Sequence, residues 1–192
     1  KGLTRWSEMS WYLDDTFTTD REAGLPKVWR LGSKPNLKQM HYDARQNVSV
    51  SLVDEVLEKE IRGAGKLTEG ARGAGAKVHV LPARPADIED DGEFHYAVLG
   101  PKAASNGKPS AEARRFIDET TGSDKPRAQN RNAVVLAVPS GDGIAVAREK
   151  VRDLLGWEKV REMLKERTDI DTAATTRLEG NLRAARGEMG SQ

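Results

Sequence analysis

The chain has 192 residues, 37% of them hydrophobic and 32% charged, with 31 basic and 30 acidic side chains and a net charge of +1. That length suffices for one ordinary domain or two small ones whose cores need no covalent staples. The absence of cysteine excludes disulfides, thiolate zinc sites, iron–sulfur clusters and cysteine nucleophiles, and fits a reducing, cytoplasmic compartment. No apolar run approaches the roughly 18 to 20 residues that a membrane crossing takes, and a charge so near zero argues against a polyelectrolyte binder of nucleic acid.

The charge is unevenly spread. Residues 1–86 carry 14 basic and 11 acidic side chains, residues 87–100 none and 5, and residues 101–192 carry 17 and 14. The opening "KGLTRW" has no initiator methionine and no leader pattern, so the chain reads as a piece of a longer protein.

Leu3, Trp6, Met9 and Leu13 recur at helical spacing, which predicts a short amphipathic helix over "LTRWSEMSWYLDD". Turn residues at Asp20 and Gly24 and the alternation at Val28, Trp29, Arg30 and Leu31 predict a strand or hairpin. A helix followed by such a hairpin is how a winged-helix module ends. Ser33 and Pro35 are expected to start a helix with Leu37, Met40 and Ala44 on one side. Ser51 is expected to cap "LVDEVLEKEIR", whose stripe is Leu52, Val53, Val56, Leu57 and Ile61. "RGAG" occurs at 62–65 and again at 72–75, and these glycines are expected to mark a flexible joint or a helix stop.

From Lys77 the pattern changes to short apolar strands. "VHVL" and "FHYAVLG" read as two strands joined by the acidic turn "PADIEDDG", "PSAEARRFIDETTG" as a helix, and "NAVVLAV" as a third strand. Continuous apolar runs and a helical crossover fit parallel pairing buried on both faces. Val134, Leu136 and Val138 are expected in a central strand beside Tyr96 and Val98, covered by the helix around Phe116 and Ile117. Helices over Ile144 to Leu155, Trp157 to Arg167 and Thr172 to Arg186 complete the chain. The fold class is therefore α/β: a small, mostly parallel three-stranded sheet with packing helices, preceded by the end of a winged-helix-like module. The expected divisions are 1–46, a linking helix and glycine-rich joint over 47–76, and an α/β domain with C-terminal helices over 77–192.

The turn "PSGDG" at 139–143 follows an apolar strand, as phosphate-binding loops do, yet it lacks the lysine and hydroxyl that would serve phosphate and magnesium. It reads as a strand end capped into a helix. Ser140 has no glycine elbow, because Pro139 precedes it. His79 and His95 stand where adjacent strands would bring them together, but without an acidic third ligand they read as half-buried strand or surface side chains, and no metal is expected. Asp87, Glu89, Asp90, Asp91 and Glu93 lack the alternation of a calcium loop and read as a solvated turn. Arg127, Asn130, Arg131 and Asn132 form a denser polar cluster, suited either to a phosphate or a partner's carboxylate, or to closing the end of the sheet against the acidic turn.

These local patterns occur in an order that resembles a known family. "KVWRLGSKPNLKQM" following "SWYLDD" is similar to its aromatic strand leading into a proline-asparagine-leucine helix. "DIEDDGEFHYAVLGP" looks like its acidic turn before an apolar strand. "GSDKPRAQNRNAVVLAVPSGDG" looks like its proline-arginine, arginine-asparagine and strand sequence, and "REKVRDLLGWEKV" like the helix pair that follows. The family is the large prokaryotic predicted ATPases catalogued as domain of unknown function number 499. The resemblance runs from about residue 3 to residue 187, although the aromatic strand is only partly kept as Val28-Trp29-Arg30 and residues 62–76 have no counterpart. Members carry an AAA+ type ATPase core upstream, often among defence or restriction-modification genes. The resemblance implies a non-catalytic, C-terminal-side accessory region, with ATP and magnesium belonging to the parent protein's core and no cofactor in this stretch. It implies as partners that core, DNA or other defence-system proteins, and no membrane. The alternative is a stand-alone winged-helix-like nucleic-acid-binding protein, with Arg30, Lys34 and Lys38 meeting phosphates.

Overall fold

The computed structural model describes residues 13–14, 30–31, 36–119, 130–165 and 172–190. In chain order the elements are β1 (Leu13–Asp14), β2 (Arg30–Leu31), α1 (Leu37–Gln46), α2 (Val50–Gly63), α3 (Lys66–Gly73), β3 (Lys77–Val80), β4 (His95–Val98), α4 (Ala111–Asp118), β5 (Val134–Ala137), α5 (Gly141–Lys165) and α6 (Thr172–Gly190). Single 3₁₀ turns lie at Pro85–Asp87, Pro101–Ala103 and Arg131–Ala133. The chain divides into two compact units, residues 50–148 and residues 1–49 with 149–192. The boundaries at 46 and 76 read from the sequence answer to changes of local pattern. The units answer to contacts, and they place α2 and α3 with the sheet.

In the α/β unit the strand order is β3-β4-β5, and both pairs are parallel. The register aligns Lys77, His95 and Val134 at one end and Val80, Val98 and Ala137 at the other. The mixed α/β class with a small three-stranded sheet is as the sequence indicates. The position of the third strand is not: β4 is central and β5 is an edge. Val134 and Leu136 lie beside His95 and Ala97, whereas Val135 lies beside Tyr96 and is 54% exposed. Val138 is beyond the strand and exposed.

The helix over one sheet face does form where expected. Ser110 caps α4 by accepting from the Ala113 amide at 3.2 Å, and Ala113 and Phe116 pack with Ala97, Leu99, Ala103 and Val134. Parallel strands require a crossover, and the one between β3 and β4 is made without an α-helix. The acidic segment holds it in place through Ile88, which is fully buried in the same cluster. Burial of a side chain of that size contributes about 1.5–3 kcal/mol.

Helix α2 begins at Val50, so Ser51 lies inside it and is not its cap. Val53 and Leu57 are buried, whereas Leu52, expected in the stripe, is exposed. The glycine-rich segment holds a helix, α3, that its composition hid. Each interior glycine costs about 1 kcal/mol relative to alanine, but Lys66, Leu67, Glu69, Ala71 and Arg72 are acceptable helix formers and Thr68 is buried. The stop comes at Gly75, whose φ of +80° only glycine adopts readily.

The other unit has a helical core: Leu37 and Met40 of α1, Leu154, Trp157, Val160 and Leu164 of α5, and Leu178, Leu182 and Ala185 of α6. Asn36, not Ser33, caps α1, accepting from the Lys38 amide at 2.9 Å. The helix break expected at Leu155-Gly156-Trp157 is absent, and α5 is continuous. Gly156 serves close approach instead, since a Cβ there would stand 2.9 Å from the His41 ring. That ring stacks on Trp157 at 4.0 Å and 11°.

Of the expected N-terminal helix over residues 3–15, only Leu13 and Asp14 lie among the described residues, and they are extended. They pair antiparallel with Arg30–Leu31 in a two-residue ladder. Of the expected winged-helix end over 1–46, the described residues hold this ribbon and helix α1. Among the described residues no helix is long and apolar enough to cross a membrane.

Candidate functional site at the amino edge of the sheet

The parallel register gathers the chemistry-bearing residues of the α/β unit at one edge. Lys77 and His95 begin β3 and β4, the acidic segment arrives immediately before His95, and Asn130 to Asn132 arrive immediately before β5. Asp90 accepts from both the backbone amide and the side-chain amide of Asn130, at 3.2 and 2.9 Å. Asp91 accepts from Lys77 Nζ and, at 3.0 Å, from the Glu93 amide, and its Oδ1 lies 2.9 Å from His95 Nε2. His95, only 2% exposed, turns its other nitrogen, Nδ1, to His79 Nε2 at 2.9 Å, with the rings 5.2 Å apart and inclined by 27°.

The order of these groups sets their protons. The Lys77 ammonium, then the His95 ring and the Glu93 amide, hold the Asp91 carboxyl well below the usual carboxylate range. An ionised Asp91 can only accept, so His95 Nε2–H donates to it, and the Nδ1 of the neutral ring accepts the hydrogen bond that His79 Nε2–H donates. Burial and then His95 push the His79 imidazole below its ordinary value, against the opposing pull of Asp87 and Glu89. The arrangement runs from His79 through His95 to Asp91 by two hydrogen bonds. It is a line and not a chelate, because both nitrogens of His95 are engaged. Among the described residues no group of three or more histidine, aspartate or glutamate side chains is placed to hold a metal ion.

The histidines were visible in the sequence as neighbours across strands. Asp91 was not, since its proximity depends on the path of the acidic segment. Within that segment Asp87 accepts from the amides of Ala83 and Arg84, both at 2.9 Å, which depresses its carboxyl chiefly through the Arg84 amide. The third histidine has a packing role: His41 Nε2 lies 3.0 Å from the Asp153 carbonyl and 3.3 Å from its carboxylate, and burial lowers its pKa.

The other sequence-predicted residues are dispersed. Arg131 Nη1 lies 3.9 Å from Asp118, Asn132 is exposed, and Arg127 lies outside the described residues. Arg30 is in β2, Lys38 is exposed on the first turn of α1, and Lys34 lies outside the described residues. In the turn after β5, the Gly143 amide donates to Ser140 Oγ at 3.1 Å, Gly141 to the Ser105 carbonyl at 3.1 Å and Ile144 to the Ser140 carbonyl at 3.0 Å. The amides of Gly141, Gly143 and Ile144 are thus committed. No protein-family model, curated protein or solved structure matches this chain.

Proposed function

We propose that this chain is a non-catalytic accessory region of a multidomain ATPase, coupling the motor to a protein partner or to DNA, as its resemblance to domain of unknown function number 499 implies. In this reading ATP and magnesium belong to the core upstream, the compartment is cytoplasmic, and the partners are that core and other defence-system proteins. The observation that carries it is the turn after β5. The amides of its two glycines and of Ile144 donate to Ser140 and to backbone carbonyls, and no lysine and hydroxyl follow the glycines. A phosphate would have to displace those bonds, each worth about 0.5–1.5 kcal/mol net, and would gain no cation in exchange. The test is calorimetry of the chain with ATP and magnesium. No binding at micromolar concentration is expected, and saturable micromolar binding or turnover would overturn the reading.

One observation favours the nucleic-acid alternative. The β1–β2 ladder places Arg30 on a two-stranded ribbon, and Lys38 is exposed on the helix that follows. If Arg30, Lys34 and Lys38 meet phosphates, a labelled duplex binds weakly and without sequence preference, with a logarithmic salt slope near about −3. Reversal of all three charges then abolishes the anisotropy change, whereas reversal of Arg127 and Arg131 leaves it intact. The opposite pattern would move the contact to the α/β unit.

A further inference from the structure

The opposite, carboxyl edge of the sheet encloses a cavity of about 320 Å³. Open parallel sheets take their ligands outside the carboxyl ends of their strands, and ligand pockets start at about 300 Å³. We propose that this cavity binds a small zwitterion, a free amino acid with an apolar side chain. The proposal does not depend on the ATPase reading.

The floor is apolar: Leu99, Ala103 and Phe116 are buried beneath it. The rim carries two charges of each sign, Arg62 and Lys102 against Glu58 and Glu112. Among the described residues, none of these four side chains forms an ion pair, and only that of Arg62 makes a hydrogen bond, a long one of 3.4 Å from Nη1 to the Val80 carbonyl. Opposite charges that converge on one cavity without neutralising one another are placed to be met from within it. The balance of signs selects the ligand. A nucleotide or other polyanion would face two carboxylates, whereas a carboxylate and an ammonium on one apolar body find a partner for each charge and a surface for the rest.

The backbone supplies a second, independent observation. Leu81, on the cavity wall, has φ +52°, a left-handed conformation that is costly for a branched side chain and that clusters at binding sites. It adopts this conformation although its amide still completes the ladder to the Val98 carbonyl at 2.9 Å. Opposite it, Gly100 has an ordinary φ of −84°, so any residue would suit its backbone. A Cβ there would reach to 3.1 Å from Leu81 and 3.9 Å from Glu58. The missing side chain at Gly100 lets the Leu81 side chain and Glu58 come close on the cavity wall.

The test is ¹H–¹⁵N NMR titration of the whole chain with L-leucine and L-phenylalanine, and with two half-charged analogues, 3-phenylpropionate and phenethylamine. Saturable shifts are expected at Leu81, Gly100, Lys102 and Glu112 with the amino acids, and at least about tenfold weaker binding of each analogue. Lys102→Met and Glu112→Gln, both on the rim, are expected to weaken amino-acid binding by about tenfold each while the remainder of the spectrum stays that of the folded chain. No shifts at millimolar amino acid would overturn the proposal. So would 3-phenylpropionate binding as tightly as phenylalanine, which would mark a plain anion site.

Discussion

The two edges of the small sheet use charge in opposite ways. At the amino edge Lys77, Asp91, His95 and His79 form one hydrogen-bonded line, and Asp90 is tied to Asn130. At the carboxyl edge Glu58, Arg62, Lys102 and Glu112 surround a cavity without pairing. Groups that satisfy each other hold a fold together. Groups left to face a space are held in reserve for what enters it. The comparison teaches that density of charged residues is a poor guide to a site: the richer acidic segment is the more self-contained one.

The largest effect separates neither edge but sets the scale for both. Phe116 belongs to the core and to the cavity floor, and Phe116→Ala is expected to cost about 3–5 kcal/mol in denaturant melts. A smaller effect is expected at the amino edge. His95→Ala removes a buried ring and leaves His79 and Asp91 without their shared partner, a loss of about 1–3 kcal/mol by the same measurement. A loss as large as that of Phe116→Ala would mean the line is part of the core itself.

Acid sharpens the contrast further. His79 has its pKa lowered by burial and by His95, with Asp87, Glu89 and Lys77 also facing it, and His41 is lowered by burial. A lowered imidazole binds fewer protons folded than unfolded. The stability it contributes is complete above about pH 6.5 and is lost as the pH falls from there through the depressed folded value. Asp91, also lowered, contributes stability that is complete above about pH 3.8 and is lost below it. Denaturant midpoints are therefore expected to fall in two stages with acid, and His79→Gln is expected to shrink the first. The smallest effect belongs to the carboxyl edge: Gly100→Ala meets only the tip of Leu81 at 3.1 Å and is expected to change stability by no more than about 0.5 kcal/mol.

Much of the α/β unit was legible because its strands are short continuous apolar runs and the helical segment "PSAEARRFIDETTG" separates two of them. The edge position of β5 was not, since strand order is set by how the crossovers pack and not by the local pattern of "NAVVLAV". Helix α3 was hidden by its glycines, and the continuity of α5 by Gly156, whose reason is His41 more than a hundred residues away in the chain. The histidine pair could be anticipated from two strands, but Asp91 joins it only through the path that Ile88 anchors. The cavity left no local signal, because Glu58 and Arg62 come from α2, while Lys102 and Glu112 follow β4.

The most direct measurement compares the two edges in one experiment: denaturant melts of Asp91→Asn and of the double variant Lys102→Met, Glu112→Gln against the unaltered chain. Asp91→Asn is expected to unfold at distinctly lower denaturant, because Lys77 and His95 lose the charge they share, and the double variant to unfold at the same denaturant or higher, because the charges it removes have no partner in the fold. A stable Asp91→Asn chain beside a weakened double variant would contradict the division of the sheet into a self-satisfied edge and a receptive one.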